Sequence, residues 1–269
     1  MKAVITCGGI GSRLYPFTKE LPKEMAPIFS KSNNQTIVKP LIQDIFEKLY
    51  DSGIREFCFV TGKYKRTIEN HFTVGSKNSK DTKSFNSKLE NSVIFWITQN
   101  EPNGFGHAVL QSKSFVGNEK FILQAGDVSF INSSNNPIRK LILKNKKDID
   151  SILCIREVKD PQRHGIVTLE KDSDFSRIKE AIEKPKKPKT NLGIMPIYLL
   201  SSKIFDSLET TKPGINNEIQ LTDAIQHMVK KKNNIYAINS NNVKFLDVGI
   251  PDAYWNSLVD SHQNCEETN

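Results

Sequence analysis

Strand-like and helix-like segments alternate over residues 1–160, and this alternation constrains the fold more than any other feature. Short apolar runs such as Ala3–Thr6 and Phe57–Thr61 have the length and composition of buried strands. The segment Pro40–Ser52 places its apolar residues on one helical face, and Gly53 follows it as a stop signal. A β-α-β-α order predicts an α/β fold with a Rossmann-like, mixed, mostly parallel sheet flanked by helices.

After residue 160 the predicted elements become shorter and lie closer together. Three strands with hairpin-like connections are predicted at Gly165–Glu170, Arg177–Glu183 and Leu192–Leu199. A helix is expected at Leu221–Lys231, where apolar residues recur at helical spacing. The second half is therefore expected to contain a small additional β region.

The length of 269 residues is compatible with one large domain. We expect a single domain over residues 1–260, with a nucleotide-binding half at 1–150 and a less regular second half at 151–260, to which the family resemblance given below assigns the sugar phosphate. The polar tail Ser261–Asn269 is predicted to fray. Two polar segments, Ser30–Ile37 and Thr73–Asn91, are predicted to be surface loops.

The net charge of +8, from 38 basic and 30 acidic residues, favours anionic ligands such as nucleotides and sugar phosphates. The lysines are scattered rather than gathered in a stripe with aromatic residues, so we expect no nucleic-acid partner. A nucleic-acid binder remains an alternative that rests on charge alone, and salt-dependent binding to random DNA would support it.

Features that would place the chain outside the cytoplasm or at a membrane are not expected. The four cysteines form no C-x-x-C pair, which argues against a zinc site or a disulfide framework and is consistent with a reducing cytoplasm. The first residues lead directly into a strand, so no signal peptide is expected. No apolar run approaches the ~18 residues that a membrane span requires.

A short apolar run at the start of the chain ends in Gly8, Gly9 and Gly11, and Arg13 and Lys23 follow. Glycines allow backbone N–H groups to approach an oxyanion closely, and the two cations would neutralise charge on a transferring phosphoryl group. Neither a Walker loop nor a dinucleotide-binding fingerprint fits the spacing. The alternative is a glycine turn that merely joins a strand to a helix.

Other candidate residues also follow predicted strands. Because ligands of open parallel sheets bind beyond the carboxyl ends of the strands, we expect these residues to converge. Asp127 and Asp247 form a candidate magnesium pair, since Mg²⁺ takes one or two protein carboxylates and leaves its other positions to water and phosphate. Taken singly, each aspartate is equally explained as a turn or helix cap.

The pair Glu183–Lys184 also ends a predicted strand. The lysine is suited to a phosphate and the glutamate to sugar hydroxyls, whereas spacing alone favours an exposed charge pair of little energetic value. The histidines show no ligand spacing, and His107, in a glycine-rich turn, is expected to pack or to bond to the backbone.

Together these stretches resemble the sugar-1-phosphate nucleotidylyltransferases, and most of all the bacterial and archaeal UTP–glucose-1-phosphate uridylyltransferases. The similar segments run almost from end to end. They are Gly8–Arg13, Pro22–Pro27, Lys39–Gln43, Val60–Phe72, Gly104–Val109, His164–Val167, Glu183–Pro185, Glu218–Ile225 and Asp247–Gly249.

The resemblance implies a nucleotidyltransferase fold of the glycosyltransferase-A-like kind and the magnesium-dependent conversion of UTP and glucose 1-phosphate to UDP-glucose and pyrophosphate. It also implies a homo-oligomer, dimer or tetramer. By position it assigns Gly8, Gly9, Gly11 and Arg13 to the triphosphate, Lys23 to the α-phosphate, Gln99 and Gly104 to the uracil edge, Asp127 and Asp247 to the metal, and Gly165, Glu183, Lys184 and Asn191 to the glucosyl phosphate.

Two other functions remain open at this point. A glucose-1-phosphate thymidylyltransferase would differ in a base that carries one extra methyl group, which a pocket discriminates only modestly. A non-catalytic nucleotide-sugar-binding regulator would be expected to lose the metal pair or Lys23, and this chain keeps both. One departure from the family is Val128, which stands after Asp127 where members often have an acidic residue.

Overall fold

The computed structural model describes residues 1–32, 34–74, 80–131 and 135–267. Within these residues, most strands join one nine-stranded sheet with the order β5-β4-β1-β6-β11-β8-β12-β10-β9. Those strands are β1 (Lys2–Cys7), β4 (Glu56–Gly62), β5 (Val93–Gln99), β6 (Phe121–Ala125), β8 (Ser151–Glu157), β9 (Gly165–Leu169), β10 (Phe175–Glu183), β11 (Leu192–Leu200) and β12 (Ile235–Asn239).

Strand direction divides the sheet into two parts. The four strands β5, β4, β1 and β6 are all parallel, as the β-α-β-α order predicts. Strand β11 runs antiparallel to both β6 and β8, and β10 runs antiparallel to β12 and β9. Of the three strands predicted close together in the second half, β9 and β10 form a hairpin at one edge of the main sheet, whereas β11 lies inside it, between β6 and β8. Because one sheet takes strands from both halves of the chain, we infer a single domain over residues 1–260.

Helices cover both faces of the sheet. They are α1 (Leu41–Asp51), α2 (Arg66–His71), α3 (Lys80–Glu90), α4 (Phe105–Gln111), α5 (Lys113–Val116), α6 (Pro137–Lys144), α7 (Lys203–Thr210), α8 (Leu221–Lys230) and α9 (Pro251–Glu267).

The apolar side chains of β1 alternate between two buried cores. Ala3 and Ile5 pack with Phe46 of α1, whereas Val4 packs with residues of α4, α7 and α8 on the opposite face. Since side chains of a strand point alternately to the two faces, this alternation fixes β1 at the centre of the fold. The glycine loop that follows β1 is therefore anchored by a strand buried on both sides.

Two small sheets stand apart from the main sheet. Strands β2 (Pro27–Ser32) and β3 (Gln35–Pro40) form an antiparallel hairpin. Strands β7 (Val128–Phe130) and β13 (Phe245–Asp247) form a second antiparallel pair. The prediction of a loop at Ser30–Ile37 is wrong for its described residues, since they belong to the β2–β3 hairpin or to its turn.

Other predicted boundaries also change. Helix α3 occupies Lys80–Glu90 within the predicted loop Thr73–Asn91, of which residues 75–79 lie outside the described part. Helix α9 continues to Glu267 and buries Ser261 and Cys265, so the prediction that the chain frays from Ser261 is wrong as far as Glu267. Over the described ranges, no helix combines the length and apolar character needed to cross a bilayer.

Candidate active site

The loop after β1 is shaped by its glycines. Gly11 adopts φ = 76°, in the left-handed region, and its carbonyl accepts a hydrogen bond of 2.7 Å from Thr18 Oγ1. A side chain on Gly8 would overlap Oε1 of Gln99, so any other residue there would displace the Gln99 amide. The ammonium of Lys23 lies 3.5 Å from the position that a Cβ on Gly9 would occupy. The loop thus runs directly between Gln99 and Lys23.

This loop forms one wall of an open cleft of about 450 Å³, a volume suited to a nucleotide. The cleft brings together eight of the predicted site residues, from three segments of the chain that are distant in sequence. They are Gly8, Gly9, Gly11, Arg13, Lys23, Gln99, Gly104 and Asp127. The structure therefore unites the predicted triphosphate, base and metal residues, apart from Asp247, in one cavity.

Lys23 and Asp127 form an ion pair at the centre of the cleft. Burial alone would lower the pKa of Lys23, but the carboxylates of Asp127 and Glu24 dominate and raise it. Burial would likewise raise the pKa of Asp127, yet Lys23 lowers it. Both side chains are consequently held in their charged forms.

Asp247 reaches this site from the small sheet formed by β7 and β13. The sequence had suggested instead that it follows a strand of the main sheet. Strand β13 pairs Asp247 with Val128, and the Val248 N–H donates to the carbonyl of Asp127 at 3.1 Å. A Cβ built on Gly249 would lie 3.0 Å from Asp247 Oδ1, 3.5 Å from Arg13 Nη2 and 3.7 Å from Asp127 Oδ2. One small volume is thus bordered by both carboxylates and the guanidinium.

The two carboxylates repel each other. Desolvation and the neighbouring Asp127 carboxylate raise the pKa of Asp247, and Lys23 and Arg13 compensate only in part. A pair of hard oxygen donors whose negative charge is only partly offset by Lys23 and Arg13 matches the needs of a divalent cation such as Mg²⁺. The chemistry of this donor set therefore fits the metal that the family resemblance implies.

A second, fully buried ion pair lies beneath Lys23. Lys65 Nζ donates to both carboxylate oxygens of Glu24, each at 2.8 Å, and Glu24 is only 1% exposed. Burial raises the pKa of the Glu24 carboxyl, although Lys65 and Lys23 oppose the shift. Sequence reasoning did not identify this pair, because the two residues are 41 positions apart, although Glu24 follows Lys23 directly and lines the cleft.

At the other end of the cleft, Gly104 allows the chain to approach the loop before α8. Its φ is 105°, and a Cβ there would lie 2.8 Å from the carbonyl oxygen of Ile219. The Gly104 carbonyl in turn accepts a 3.3 Å hydrogen bond from Nε2 of Gln99. Glu218, which the sequence analysis did not assign, also lines this end of the cleft.

Three of the four predicted sugar residues, Gly165, Glu183 and Lys184, lie in the β9–β10 hairpin or directly after it. Thr222 Oγ1 donates to Glu183 Oε2 at 2.7 Å, and Lys184 Nζ lies 3.3 Å from Glu183 Oε1. A Cβ on Gly165 would come within 2.6 Å of the same Thr222 hydroxyl. Gly165, Glu183 and Lys184 therefore form one group, and Thr222 is a member of it that sequence reasoning missed.

Asn191 is the predicted site residue that the structure connects least to this group. Its side chain is exposed, and its backbone carbonyl accepts a 2.9 Å hydrogen bond from the Val158 N–H. The structure thus places Asn191 next to β11 but gives its amide no fixed position.

His164 joins the sugar group to the carboxylate pair. Its carbonyl accepts a 3.0 Å hydrogen bond from the Lys184 N–H. Burial, with Arg156 as the next cause, lowers the pKa of the His164 imidazole, while Asp247 and Glu183 both oppose the shift. The carboxylates of Asp247 and Glu183 thus both lie within electrostatic range of this ring.

Comparisons with known proteins agree with this geometry. A family profile described as nucleotidyl transferase matches residues 2–264. The chain is 38% identical over 243 residues to a UTP–glucose-1-phosphate uridylyltransferase of Staphylococcus haemolyticus, covering 84% of this chain and 81% of that protein. It is 36% identical over 264 residues to a protein of the same name from Staphylococcus epidermidis, covering 92% and 87%. A solved UDP-glucose pyrophosphorylase in complex with UDP-glucose aligns with a TM-score of 0.87 at 31% identity, covering 97% of this chain and 98% of that one.

Proposed function

The chain belongs to the nucleotidyl transferase family, and we propose that it is an enzyme that converts UTP and glucose 1-phosphate to UDP-glucose and pyrophosphate. The observation that carries the proposal is the convergence of Arg13, Lys23, Asp127 and Asp247 at one side of the cleft. Relatives that match at least four-fifths of their own length carry the uridylyltransferase name. The structural neighbour with UDP-glucose bound supports the same product.

The reaction requires no general base. A phosphate oxygen of glucose 1-phosphate attacks the α-phosphorus of UTP, and the bond from that phosphorus to the bridging oxygen of pyrophosphate breaks. The bond's electron pair leaves with pyrophosphate. Since the second pKa of a phosphate monoester is about 6, the nucleophile is already dianionic at neutral pH. The protein's tasks are to align the two phosphates and to neutralise their charge.

Lys23 and Arg13 supply that neutralisation. Lys23 is held charged beside Asp127, and Arg13 lies in the loop that forms the cleft wall. Positive charge fixed in advance stabilises the transition state without any cost of reorganisation during the reaction. Lys184, on the sugar side, provides the third cation and neutralises the attacking phosphate.

We infer that Asp127 and Asp247 hold Mg²⁺. When bound, the ion supplies positive charge to the phosphate oxygens of the nucleotide. Asp127 also orients Lys23 through their ion pair, so this one carboxylate would contact both the Lys23 ammonium and Mg²⁺. The role of Val128 is structural, because it pairs with Asp247 in the strand that brings the two carboxylates together.

We propose the following roles for the remaining predicted residues. The glycine loop takes the triphosphate, and Gln99 and Gly104 take the base at the far end of the cleft. Glu183 accepts hydrogen bonds from sugar hydroxyls, and Gly165 leaves space for Thr222 to approach and hold that carboxylate. Asn191 completes this side as a hydrogen-bonding group for the glucosyl phosphate.

We also infer that the enzyme is a homo-oligomer of the cytoplasm. Val38 and Trp255 are 60% and 66% exposed and are candidate positions for an interface between copies. The four cysteines are all buried and free, which suits a reducing compartment. Sedimentation at micromolar concentration tests the oligomer.

A pyrophosphate-release assay tests the function. We expect glucose 1-phosphate with UTP to give the highest kcat/KM in a panel of four nucleoside triphosphates, dTTP and several sugar 1-phosphates. A clear preference for dTTP would identify a thymidylyltransferase instead. Absence of turnover, with UDP-glucose still bound, would identify a regulatory protein.

The substitution Gly165→Ala tests the sugar side separately. The added methyl group meets Thr222 Oγ1 at 2.6 Å and Glu183 Oε2 at 3.1 Å, so the hydrogen bond between these two residues must shift. We expect the KM for glucose 1-phosphate to rise by roughly tenfold, about the effect of one lost hydrogen bond, while the KM for UTP changes little. Equal changes in both KM values would show that Gly165 is not specific to the sugar.

A further inference from the structure

The imidazole of His107, in the first turn of α4, lies behind Gln99 and bonds to it. We propose that His107 determines which pyrimidine the cleft accepts, by holding the Gln99 amide with its carbonyl oxygen towards the nucleotide. This inference rests on the proposed function, since it takes Gln99 as the residue that faces the base. It adds to that function a residue that has no contact with the reacting phosphates.

The contacts of Gln99 define the orientation of its amide. Its Nε2 lies 3.3 Å from the carbonyl oxygen of Gly104 and 2.9 Å from Nδ1 of His107. A carbonyl oxygen only accepts hydrogen bonds, so the Gln99 atom that faces it must be the NH₂ group. The same group therefore donates to His107, and Nδ1 of His107 must be unprotonated. Oε1 of Gln99 is left on the side of Gly8, at the cleft wall.

The other ring nitrogen of His107 is fixed by the same reasoning. A neutral imidazole with an unprotonated Nδ1 carries its proton on Nε2, which donates. The terminal amide of Gln111 lies against this nitrogen, with its own nitrogen at 3.2 Å. A half-turn about the Cγ–Cδ bond of Gln111 brings the amide oxygen to the same place, where it accepts the proton. Gln111, His107 and Gln99 then form a chain in which every donor meets an acceptor.

This orientation has a consequence for the base. N3 of uracil and thymine carries a hydrogen and donates to a carbonyl oxygen such as Oε1 of Gln99. N3 of cytosine carries a lone pair, which Oε1 would repel. A site built around one hydrogen-bonding pattern rejects a ligand that lacks it more strongly than an apolar pocket rejects an extra methyl group. The chain therefore selects UTP over CTP and leaves the choice between UTP and dTTP to other contacts.

Two substitutions of Gln111 test the inference without altering Gln99 or His107. Gln111 is half-exposed at the end of α4 and is not among the residues that line the cleft. The change Gln111→Glu keeps an acceptor for the proton on His107 Nε2. The change Gln111→Lys places a donor there, so the proton moves to Nδ1 and the Gln99 amide must turn to accept it. Oε1 then no longer faces the base.

We expect Gln111→Glu to keep the ratio of kcat/KM for UTP to that for CTP within about threefold of the wild-type value. We expect Gln111→Lys to lower this ratio by about tenfold or more, because one hydrogen bond to the base is then mismatched. UTP and CTP carry equal charge, so the added lysine charge cancels in the ratio. His107→Leu, which removes the acceptor for Gln99, should lower the ratio as well. His107→Asn, which keeps an oxygen near the position of Nδ1, should retain it.

The outcomes separate this inference from the proposed function. If the wild-type enzyme forms no UDP-glucose, the proposed function fails and this inference fails with it. If the wild-type enzyme prefers UTP, but Gln111→Lys and His107→Leu reduce kcat/KM for both nucleotides by the same factor, His107 only packs and the inference alone is overturned.

Discussion

Replacing Lys23 by alanine lowers kcat for UDP-glucose formation by roughly 10²- to 10³-fold, the usual effect of removing one preorganised charge from a transition state. The ammonium lies beside Asp127 and close to the glycine loop, where negative charge accumulates on the phosphates as the bond breaks. Because the interaction strengthens in the transition state, kcat should fall more than the KM for UTP rises. The measurement is steady-state kinetics with both substrates varied.

Lys19→Ala is the matched control for this change. Lys19 is a lysine four residues earlier in the same segment, but it is exposed and does not line the cleft that holds Lys23. Its removal should leave kcat within about twofold, since it removes only an exposed, screened charge outside the cleft. The Lys23→Arg enzyme, which keeps the charge with another shape, should fall between the two. Turnover at the wild-type rate in Lys23→Ala would remove Lys23 from the mechanism.

Removing Lys65 should have the largest effect on stability. Lys65→Met leaves the Glu24 carboxylate buried without its partner, and loss of one member of a buried pair costs about 3–5 kcal/mol of the free energy of unfolding. Converting both residues to methionine removes the uncompensated charge, so the double variant should recover most of that loss. Urea denaturation of the single and double variants measures both values.

Lys63→Met controls for the loss of a lysine in the same loop. Lys63 is exposed, so its substitution should change the free energy of unfolding by no more than about 0.5 kcal/mol. If Lys65→Met were equally harmless, the ion pair with Glu24 would have to be solvated or absent in solution.

The sequence predicted the first half of the fold well because its signals are local. The apolar run of β1, the glycines after it and the amphipathic face of α1 each specify their structure within a few residues. The position of ligand sites at the ends of parallel strands then predicted that Gln99 and Asp127 would meet the glycine loop. The cleft confirms that convergence.

Elements whose structure depends on distant contacts were predicted poorly. The β2–β3 hairpin has a polar composition that is typical of a loop, but its strand β2 packs on α9. Phe29 donates its N–H to Ser261 Oγ at 3.2 Å, and its ring packs edge-on against His262 with centroids 4.9 Å apart. The same contacts order the end of the chain that was expected to fray. These contacts join two distant segments, so neither the sequence of the hairpin alone nor that of the chain end alone indicates them.

Asp247 shows how a correct prediction can rest on an incomplete reason. The sequence placed it at the end of a core strand, whereas it lies on a two-stranded sheet whose other strand begins next to Asp127. The pairing of Asp247 with Val128, not the topology of the main sheet, brings the carboxylates together. This pairing depends on residues about 120 positions apart, for which a single sequence carries no signal.

The most direct test of the proposed reaction centre is a crystal structure of the protein soaked with UDP-glucose and Mg²⁺. The proposed function predicts one metal ion in contact with a carboxylate oxygen of Asp127 and one of Asp247, with the uridine beside Gln99 and the glucose beside Glu183. A nucleotide sugar bound in the cleft with the two aspartates too far apart to share an ion would contradict the proposed centre.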